Sequence, residues 1–333
     1  MNPLKTAKLF AYKMRHANYG RVVERARAAG ETSHRTTAGI LCDVLWCSLR
    51  YGAAFTDYFM FEFYQKPAAE RREFITMSQN NRLIAAMNRR EDRYVLDRKT
   101  DLVRTYRDFM HREILILADA SREQVLEFIA RHPAFFAKKN FTFSAKGVER
   151  FEVSEVLPAE AAYDRLKSEG FDLIEQPVVQ HPELARMYPG SVNTLRVVTA
   201  VKDGVCEIVF AALKTGNGAA VDNMNAGGLS AAIDVRTGRV YTDAIVKNGG
   251  HFAAHPATGV PYKGFQVPMW EQVRELVAQV CRVTPGLRFV GWDVAITPDG
   301  PILIEGNYIP GYDLLQLPDM TGRMWIVRKY ANK

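Results

Sequence analysis

The sequence predicts an α+β protein with a helical N-terminal region. In residues 1–97 apolar side chains recur among charged ones at helical spacing, with few strand signals. Residues 98–183 alternate between helical and strand-like segments, and residues 184–333 contain short apolar runs separated by turns. We therefore expect a helical region at 1–97, a small α/β subdomain at 98–183 and a larger, strand-rich subdomain at 184–333.

The composition is that of an ordinary globular protein, with 47% hydrophobic and 24% charged residues in a chain of 333. The apolar window Ile40–Leu49 is interrupted by Asp43 and falls far short of the ~20 residues that a membrane helix needs. The first twenty residues lack the apolar stretch of a secretory signal, which indicates a cytoplasmic protein. The four cysteines show no CxxC spacing, which argues against a zinc site and predicts buried or inert thiols.

Positive charge is concentrated at the N-terminus. The net charge is +7, and residues 1–36 contain eight Lys or Arg and two Glu, a net charge of +6. Such a basic arm could contact anionic lipid headgroups, an acidic glycan or nucleic acid, or could be a solvated helix face. We expect no nucleic-acid partner, and we expect residues 1–36 to make peripheral contact with the inner face of an anionic membrane.

Residues 98–183 give the clearest signals of individual elements. Ser121 and Gln124 form a capping box, and Pro133 marks the end of the helix that follows it. The segments expected next are a strand, a polar loop, a helix and a second strand, at Ala134–Lys138, Asn140–Gly147, Pro158–Glu169 and Phe171–Val179. Further on, hairpin turns are expected at Asp203-Gly204 and Pro298-Asp299-Gly300, with one amphipathic helix containing Val273, Leu276, Val277 and Val280 between them.

The last hairpin carries a pair of carboxylates. If a three-residue turn sets Thr297 opposite Pro301, then Asp293 lies opposite Glu305, and Gly291 lies opposite Asn307. Side chains alternate along a strand, so one face is polar and the other is apolar. The polar face has Asp293, Glu305 and Asn307, and the apolar face has Trp292, Val294, Ile296, Ile302 and Ile304.

Two carboxylates placed directly opposite each other, with β-carbons ~5 Å apart, repel unless a cation lies between them. Their oxygens, with an amide nearby, suit Mg²⁺, which takes few protein ligands and completes its shell with substrate phosphates. The alternative is a pair of solvated acids on an exposed hairpin. The pattern alone leaves both interpretations open.

Arg196 stands inside an apolar, β-branched strand, where an unpaired guanidinium is costly to bury. It therefore needs an anion, which is either a ligand or an internal salt-bridge partner. Lys214 lies across the next hairpin and shares a face with Arg196 only if the Asp203-Gly204 loop spans three residues. A two-residue loop would separate them, and the sequence leaves the choice open.

Two other stretches have chemistry that suits a nucleotide. Lys138, Lys139 and Lys146 flank a loop that could hold phosphate oxygens or form a basic surface turn. The segment Glu175–Val178 could present main-chain groups to an adenine edge, or it could be an edge strand ended by Pro177.

The glycine-containing turns Asp222–Gly228 and His255–Gly259 allow close backbone approach to a ligand, or are ordinary loops with a structural His255. No GxxxxGK[ST] motif and no complete dinucleotide fingerprint occur, which disfavours P-loop and Rossmann folds.

Four ordered motifs together resemble the sugar-transfer-associated ATP-grasp family, which is related to α-L-glutamate ligases. They are Ser191–Arg196, Val221–Gly228, His255–Gly259, and the pair Gly291–Asp293 with Glu305–Asn307. The resemblance is strongest over residues 185–310. It implies an ATP-grasp fold, in which ATP with Mg²⁺ binds between two α+β subdomains.

The resemblance also implies roles for individual residues. Nucleotide contacts are expected from Lys99, Lys138, Lys146, Glu175, Gln176, Val178 and Arg196. The magnesium ligands would be Asp293, Glu305 and Asn307, and the catalytic residues Arg196, Lys214 and Asn193. The substrate would be contacted by Asp222, Asn223, Gly227, Gly228 and His255. The loop Asn140–Gly147 departs from the family pattern because it is poor in glycine.

The activity that the resemblance implies is an ADP-forming carboxylate–amine ligase that works through an acyl phosphate. The partners would be a small carboxylate and an amine or glycan-precursor acceptor, because the family name associates these proteins with sugar transfer. Two alternatives remain: a kinase that phosphorylates a hydroxyl at the same site, and a nucleotide-binding module without turnover.

Overall fold

The computed structural model describes residues 18–141, 147–154, 156–218, 222, 227–247 and 249–331. The chain forms two compact units, one of Met1–Met87 with Gly311–Lys333 and one of Asn88–Pro310. This division differs from the three parts expected from the sequence, because the C-terminal segment belongs to the first unit. Gln316 holds it there: its amide accepts a hydrogen bond from the Ile75 nitrogen at 2.7 Å and donates to the Ile75 carbonyl at 3.0 Å.

The helices are numbered in chain order. They are α1 Tyr19–Ser33, α2 Thr37–Tyr51, α3 Phe55–Met60, α4 Ala68–Arg71, α5 Met77–Met87, α6 Tyr94–Asp97, α7 Lys99–Tyr106, α8 Arg122–Arg131, α9 Ala159–Ser168, α10 Pro182–Met187, α11 Trp270–Val283 and α12 Met324–Tyr330. Single 3₁₀ turns occur at Phe63–Gln65, Arg90–Asp92 and Arg107–Phe109. No helix among the described residues has the length and apolar character needed to cross a membrane.

The strands are β1 Ile114–Ile116, β2 Ala134–Lys138, β3 Val148–Glu152, β4 Leu173–Glu175, β5 Thr194–Lys202, β6 Val205–Thr215, β7 Leu229–Ile233, β8 Ala244–Val246, β9 Gly250–Phe252, β10 Phe289–Thr297 and β11 Gly300–Asn307. They form a four-stranded sheet in the order β1-β4-β2-β3 and a seven-stranded sheet in the order β11-β10-β5-β6-β7-β8-β9. The predicted α+β class with a helical N-terminal region is confirmed.

The first unit is built around an aromatic core. Tyr58, Phe61 and Phe63 are fully buried and pack against Phe74 and the half-buried Tyr312. The buried Asp57 carboxylate accepts hydrogen bonds from the Ala54 and Met77 nitrogens, at 2.7 and 2.9 Å, and from the Tyr312 hydroxyl at 2.5 Å. These bonds satisfy a charge that would otherwise be costly to bury.

The structure confirms most of the helices and strands predicted between residues 121 and 170. The Ser121–Gln124 capping box is present, and α8 ends at Arg131. The strand expected at Phe171–Val179 was predicted too long, since β4 covers only Leu173–Glu175. Pro177 lacks an N–H, so pairing cannot continue past it. The loop expected at Asn140–Gly147 lies mostly outside the described residues.

The large sheet packs one face against α11. Val273, Leu276, Val277 and Val280 of this helix join Trp292 and other sheet residues in the main core, which confirms the predicted amphipathic helix. The opposite face is then available for polar groups. Arg196, Lys214, Asp293 and Glu305 lie on that face, on β5, β6, β10 and β11 respectively.

A bulge brings Lys214 to the same face as Arg196. The β5–β6 turn has only two residues, Asp203 and Gly204, with φ of 50° and 77°, as a tight hairpin requires. A two-residue turn was expected to separate the two cations, and that expectation is wrong. The register shifts by one residue next to Val198, so Lys214 pairs with Thr194 and lies on the Arg196 face.

The β10–β11 hairpin contains a second bulge. Its turn has two residues rather than the expected three, since Thr297 pairs with Gly300. A register shift beyond Val294 restores the expected pairs, Asp293 with Glu305 and Gly291 with Asn307. One detail of the prediction is wrong as a result: Leu303, rather than Ile302 or Ile304, shares the core face with Trp292.

Candidate active site

Arg196 and Asp293 form an ion pair between β5 and β10. Arg196 Nε lies 2.7 Å from Asp293 Oδ1, and Nη2 lies 3.0 Å from Oδ2. This is the internal salt bridge that the sequence had left as an alternative. Gly291 leaves room for it, because a β-carbon there would come within 3.0 Å of Arg196 Cδ and 2.8 Å of Pro310 Cβ.

Lys214 on β6 and Glu305 on β11 lie on either side of the Arg196–Asp293 pair. Lys214 Nζ lies 3.5 Å from Asp293 Oδ2, and Glu305 is directly opposite Asp293 on β11. Two carboxylates and two cations therefore lie close together on adjoining strands of one sheet face. The Asp293 and Lys214 residues are each only 6% exposed, so their charges interact more strongly than they would in water.

The two carboxylates have opposite protonation tendencies. Burial alone would raise the pKa of Asp293, but the charges and hydrogen bonds of Arg196 and Lys214 lower it below its usual value. Burial raises the pKa of Glu305, and the negative charge of Asp293 adds to that effect. The charges of Lys138, Lys99 and Arg196 oppose this rise without cancelling it, so Glu305 is the carboxylate that a bound cation would stabilise further.

The residues predicted to hold Mg²⁺ fit an all-oxygen donor set. Glu305 and Asn307 lie on β11, opposite Asp293 and Gly291 respectively. Both are half-buried next to Asp293. No cluster of three or more His, Cys, Asp or Glu suited to a metal occurs in the described part of the chain. The predicted site is therefore two acids and an amide, a small set of the kind that Mg²⁺ accepts alongside phosphate oxygens.

Asp222 joins Lys214 to the start of β5. Its carboxylate accepts hydrogen bonds from the Thr194 nitrogen, at 2.8 Å, and from the Thr194 hydroxyl, and it lies 3.4 Å from Lys214 Nζ. Gly227, with φ of 89°, adopts a backbone conformation that favours glycine, and Gly228 leads into β7. Asn223 lies outside the described residues. The predicted substrate contacts in this loop stay predictions.

A second charged cluster lies where the small sheet approaches β11. Lys138 Nζ is 2.5 Å from Glu175 Oε1, and Arg112 Nη2 is 2.9 Å from Oε2. Burial would raise the pKa of Glu175, but Arg112 and Lys138 hold it at about 2. Lys99 Nζ donates to the Lys139 carbonyl at 2.9 Å, and burial lowers the pKa of this amine.

These groups line a narrow cleft. Its walls include Lys99, Lys138, Glu175, Arg112 and Glu305, so the cleft adjoins the predicted metal ligands. Its apolar wall is formed by Leu102, Val103, Met110, Leu173 and Ile304. The cleft volume is about 20 Å³, far below the roughly 300 to 1,000 Å³ of ligand pockets.

Arg112 is a further member of this cluster that sequence patterns do not identify. Its side chain is only 4% exposed, and it donates to the carbonyls of Met110 and Leu303, at 3.3 and 2.9 Å, in addition to its pair with Glu175. It therefore connects the small sheet to β11. A single arginine before a three-residue strand gives no sequence signal of this role, because its partners are distant along the chain.

The remaining predicted nucleotide residues are placed as follows. The Gln176 main-chain nitrogen donates to the Glu113 carbonyl at 2.9 Å, and its side-chain oxygen accepts from the Glu113 nitrogen at 3.2 Å. Val178 is half-buried in the irregular segment after β4. Lys146 lies outside the described residues. The adenine contacts predicted for Gln176 and Val178 stay predictions.

Asn193 and His255 are both used inside the protein. Asn193 is fully buried and donates to Gln180 Oε1 and to the carbonyls of Leu184 and Tyr188, at 2.8 to 2.9 Å. His255 Nε2 lies 2.8 Å from the Gly216 carbonyl, and Nδ1 accepts from the Ala257 nitrogen at 3.2 Å. Catalysis by Asn193 and substrate binding by His255 stay predictions, and in this structure both side chains hold loops together.

Three solved structures illustrate what the chain is similar to. One is the ATP-grasp ligase PsnB with a phosphomimetic variant of minimal precursor, Mg and ADP (13% identity, TM-score 0.44, 74% of this chain and 62% of that chain covered). Another is D-alanyl-alanine synthetase A from Vibrio cholerae O1 biovar eltor str. N16961 (13%, 0.43, 74% and 64%). A third is D-cycloserine synthetase DcsG (18%, 0.41, 72% and 70%). The chain spans less than two thirds of the length of the first two.

No curated protein matches the sequence. A family model does match, over residues 134–329, and its description is sugar-transfer associated ATP-grasp. The matched range begins at β2 and contains Arg196, Lys214, Asp293 and Glu305, whereas Lys99 and Arg112 precede it. Because the match covers more than half of the chain, the protein belongs to the sugar-transfer associated ATP-grasp family.

Proposed function

We propose that this protein is an ATP-dependent, ADP-forming carboxylate–amine ligase. The observation that carries the proposal is the charged group on the large sheet, in which Arg196, Lys214, Asp293 and Glu305 converge from four strands within the region matched by the family. Phosphoryl transfer requires positive charge close to the phosphate oxygens. Buried cations, and carboxylates that can bind a metal ion together, can supply that charge.

In the proposed reaction a substrate carboxylate attacks the γ-phosphate of ATP and ADP leaves. An amine then attacks the carbonyl carbon of the acyl phosphate, releasing inorganic phosphate and forming an amide. Bound Mg²⁺ would be held by Asp293, Glu305 and Asn307, and would supply positive charge to the phosphate oxygens. No nucleophile of the protein is needed, so its residues act by positioning and by electrostatic stabilisation.

Each cation has a role in this proposal. Arg196 holds the Asp293 carboxylate in place through two hydrogen bonds, which fixes one metal ligand. Lys214 is near enough to both Asp293 and Asp222 to place a positive charge between the metal ligands and Asp222, a predicted substrate contact. Lys99 and Lys138 supply positive charge on the small-sheet side of the cleft.

Nucleotide binding requires this cleft to open. At about 20 Å³ it is too small for a nucleotide. The contact that would have to yield is the hydrogen bond from Arg112 to the Leu303 carbonyl on β11, because Lys138 and Glu175 both belong to the small sheet. We propose that a bound nucleotide takes over the cationic groups that Glu175 now neutralises.

The family name suggests that the acceptor is a glycan or a glycan precursor, and we include that acceptor class in the proposal. We also propose that residues 1–36, with a net charge of +6, hold the enzyme at an anionic surface where such precursors are assembled. Each basic residue near an anionic membrane contributes ~1 kcal/mol.

A hydroxylamine trap tests the ligase reaction. The protein is incubated with ATP, Mg²⁺, hydroxylamine and pools of small carboxylates, and the products are read by mass. An acyl phosphate gives a hydroxamate before any acceptor amine is added. A stable phosphomonoester of a hydroxyl substrate would instead identify a kinase, and nucleotide binding without any turnover in either pool would identify a non-catalytic module.

A further inference from the structure

Helix α2 is apolar on both of its sides. Among its fifteen residues only Asp43 and Arg50 are charged. Ile40, Val44 and Cys47 point inward and are buried in the first unit. The side away from this core, here called the outer face of α2, consists of Ala38, Cys42, Leu45, Trp46 and Leu49, all of them exposed.

The outer face of α2 is a continuous apolar stripe. Trp46 is 58% exposed, Leu49 48% and Leu45 37%, and their spacing of three and four residues places them together on one side of the helix. Single exposed apolar residues are common on protein surfaces, but a contiguous stripe marks an interaction site. A helix that is apolar all round normally has both of its sides covered.

The exposed charges of α1 and α2 are predominantly positive. The one acid of the helix, Asp43, is turned inward and receives hydrogen bonds from Arg71 at 2.8 and 2.9 Å and from Arg35 at 2.9 Å. Arg50 is exposed at the C-terminal end of α2. The neighbouring helix α1 exposes Arg21, Arg25 and Arg27, along with Glu24 and Glu31.

We propose that the outer face of α2 inserts at the interface of an anionic lipid bilayer, with Trp46 at the depth of the headgroups. Tryptophan favours that depth because its ring is apolar and its N–H can still reach polar groups. The exposed arginines of α1 and α2, together with the net charge of +6 on residues 1–36, match anionic headgroups in charge. The same charge disfavours a second copy as the occupant, because pairing two such surfaces would bring their arginines together.

This inference deepens the membrane contact proposed for residues 1–36, because it adds an apolar anchor to an electrostatic one. Attraction by the basic residues alone is screened by salt within a Debye length of about 8 Å. Burial of apolar side chains is not weakened in that way. The two contributions can therefore be separated, and both can be measured whether or not the protein is a ligase.

The first test is co-sedimentation of the full-length protein with phosphatidylcholine vesicles that contain or lack phosphatidylglycerol. Trp46→Ser combined with Leu49→Ser should weaken partitioning into the anionic vesicles by about tenfold or more. Trp325→Ser is the matched control, since Trp325 is also an exposed tryptophan of the first unit, at 41% exposure. It should bind like the wild type. Equal binding by all three proteins would overturn the proposal.

The second test reads insertion directly. In a Trp325→Phe background, Trp46 is the one exposed tryptophan, because Trp270 and Trp292 are buried. Anionic vesicles made with brominated lipid should quench its emission and shift it to shorter wavelength, and a further Trp46→Phe exchange should abolish both effects. Binding that leaves Trp46 unquenched and disappears at high salt would show that the basic residues act alone. A soluble dimer that the Trp46→Ser, Leu49→Ser variant dissociates would assign the face to a second copy. Either result would overturn the inference.

Discussion

The Arg196 guanidinium spans the Asp293 carboxylate, with Nε 2.7 Å from Oδ1 and Nη2 3.0 Å from Oδ2. One residue was expected to hold phosphate and the other to hold metal, yet each is the other's principal partner in this structure. An arginine that fixes a metal ligand contributes to the stability of the fold as well as to activity. The two effects can be measured separately.

Arg196→Met is expected to destabilise the protein by about 3 to 5 kcal/mol, because it leaves the buried Asp293 carboxylate with Lys214 as its nearest cation. The double variant Arg196→Met, Asp293→Asn should recover much of that loss. Denaturant unfolding of the wild type, both single variants and the double variant measures the coupling between the two side chains. If the two single losses simply add in the double variant, the ion pair does not stabilise the fold.

Glu305→Gln is expected to abolish ATP turnover, with a loss of about 10²-fold or more, because it removes a charged metal ligand. Stability should be unchanged or improved, since burial and the Asp293 charge already disfavour the ionised Glu305. ADP release and the melting temperature measure the two effects. Turnover within a factor of two of the wild type would contradict the role of Glu305 as a metal ligand.

Stability should depend on pH through Glu175. Its pKa is about 2 in the folded protein and 4.5 in its unperturbed state, so its ion pairs stabilise the fold fully above pH 4.5 and stabilise it less as the pH falls toward 2. The contribution is of the order of 3 kcal/mol. Unfolding free energies between pH 6 and pH 3 should therefore fall more steeply for the wild type than for Glu175→Gln. Parallel curves would mean that Glu175 does not titrate in this way.

Saturating Mg²⁺ with ATP should raise the melting temperature. Binding linkage contributes ~2.7 kcal/mol when the ligand is at 100 times its dissociation constant. ATP with EDTA should give a smaller shift, and Glu305→Gln should reduce the difference between the two conditions. A melting temperature that stays the same with Mg²⁺ and ATP would contradict nucleotide binding.

The polar face of the large sheet could be predicted because a strand alternates its side chains regardless of what covers it. The pairing of Asp293 with Glu305 was predicted correctly even though the turn length was not, because the register shift between Asp293 and Val294 compensates for the shorter turn. The position of Lys214 could not be decided, since no pattern in the sequence identifies Val209 as the extra residue of a bulge.

Contacts between distant segments could not be predicted from local patterns. Arg112 reaches the Leu303 carbonyl, and Gln316 reaches Ile75, across gaps of about two hundred residues or more. Such contacts depend on the packed fold and leave no periodic signal. The exposure of individual side chains could not be predicted either. Ile40–Leu49 is an apolar window in the sequence, but only the structure shows that Trp46 and Leu49 point away from the core.

The bulge in the β10–β11 hairpin also makes the site tolerant of changes in chain length. Ile304 is the unpaired residue of this bulge, which is needed because the turn has only two residues. A three-residue turn without a bulge would give the same pairing of Asp293 with Glu305. Deleting one residue there could remove the bulge, and inserting one could lengthen the turn, with both carboxylates still on the same face. The number of residues between the two acids is therefore not fixed by the geometry of the site.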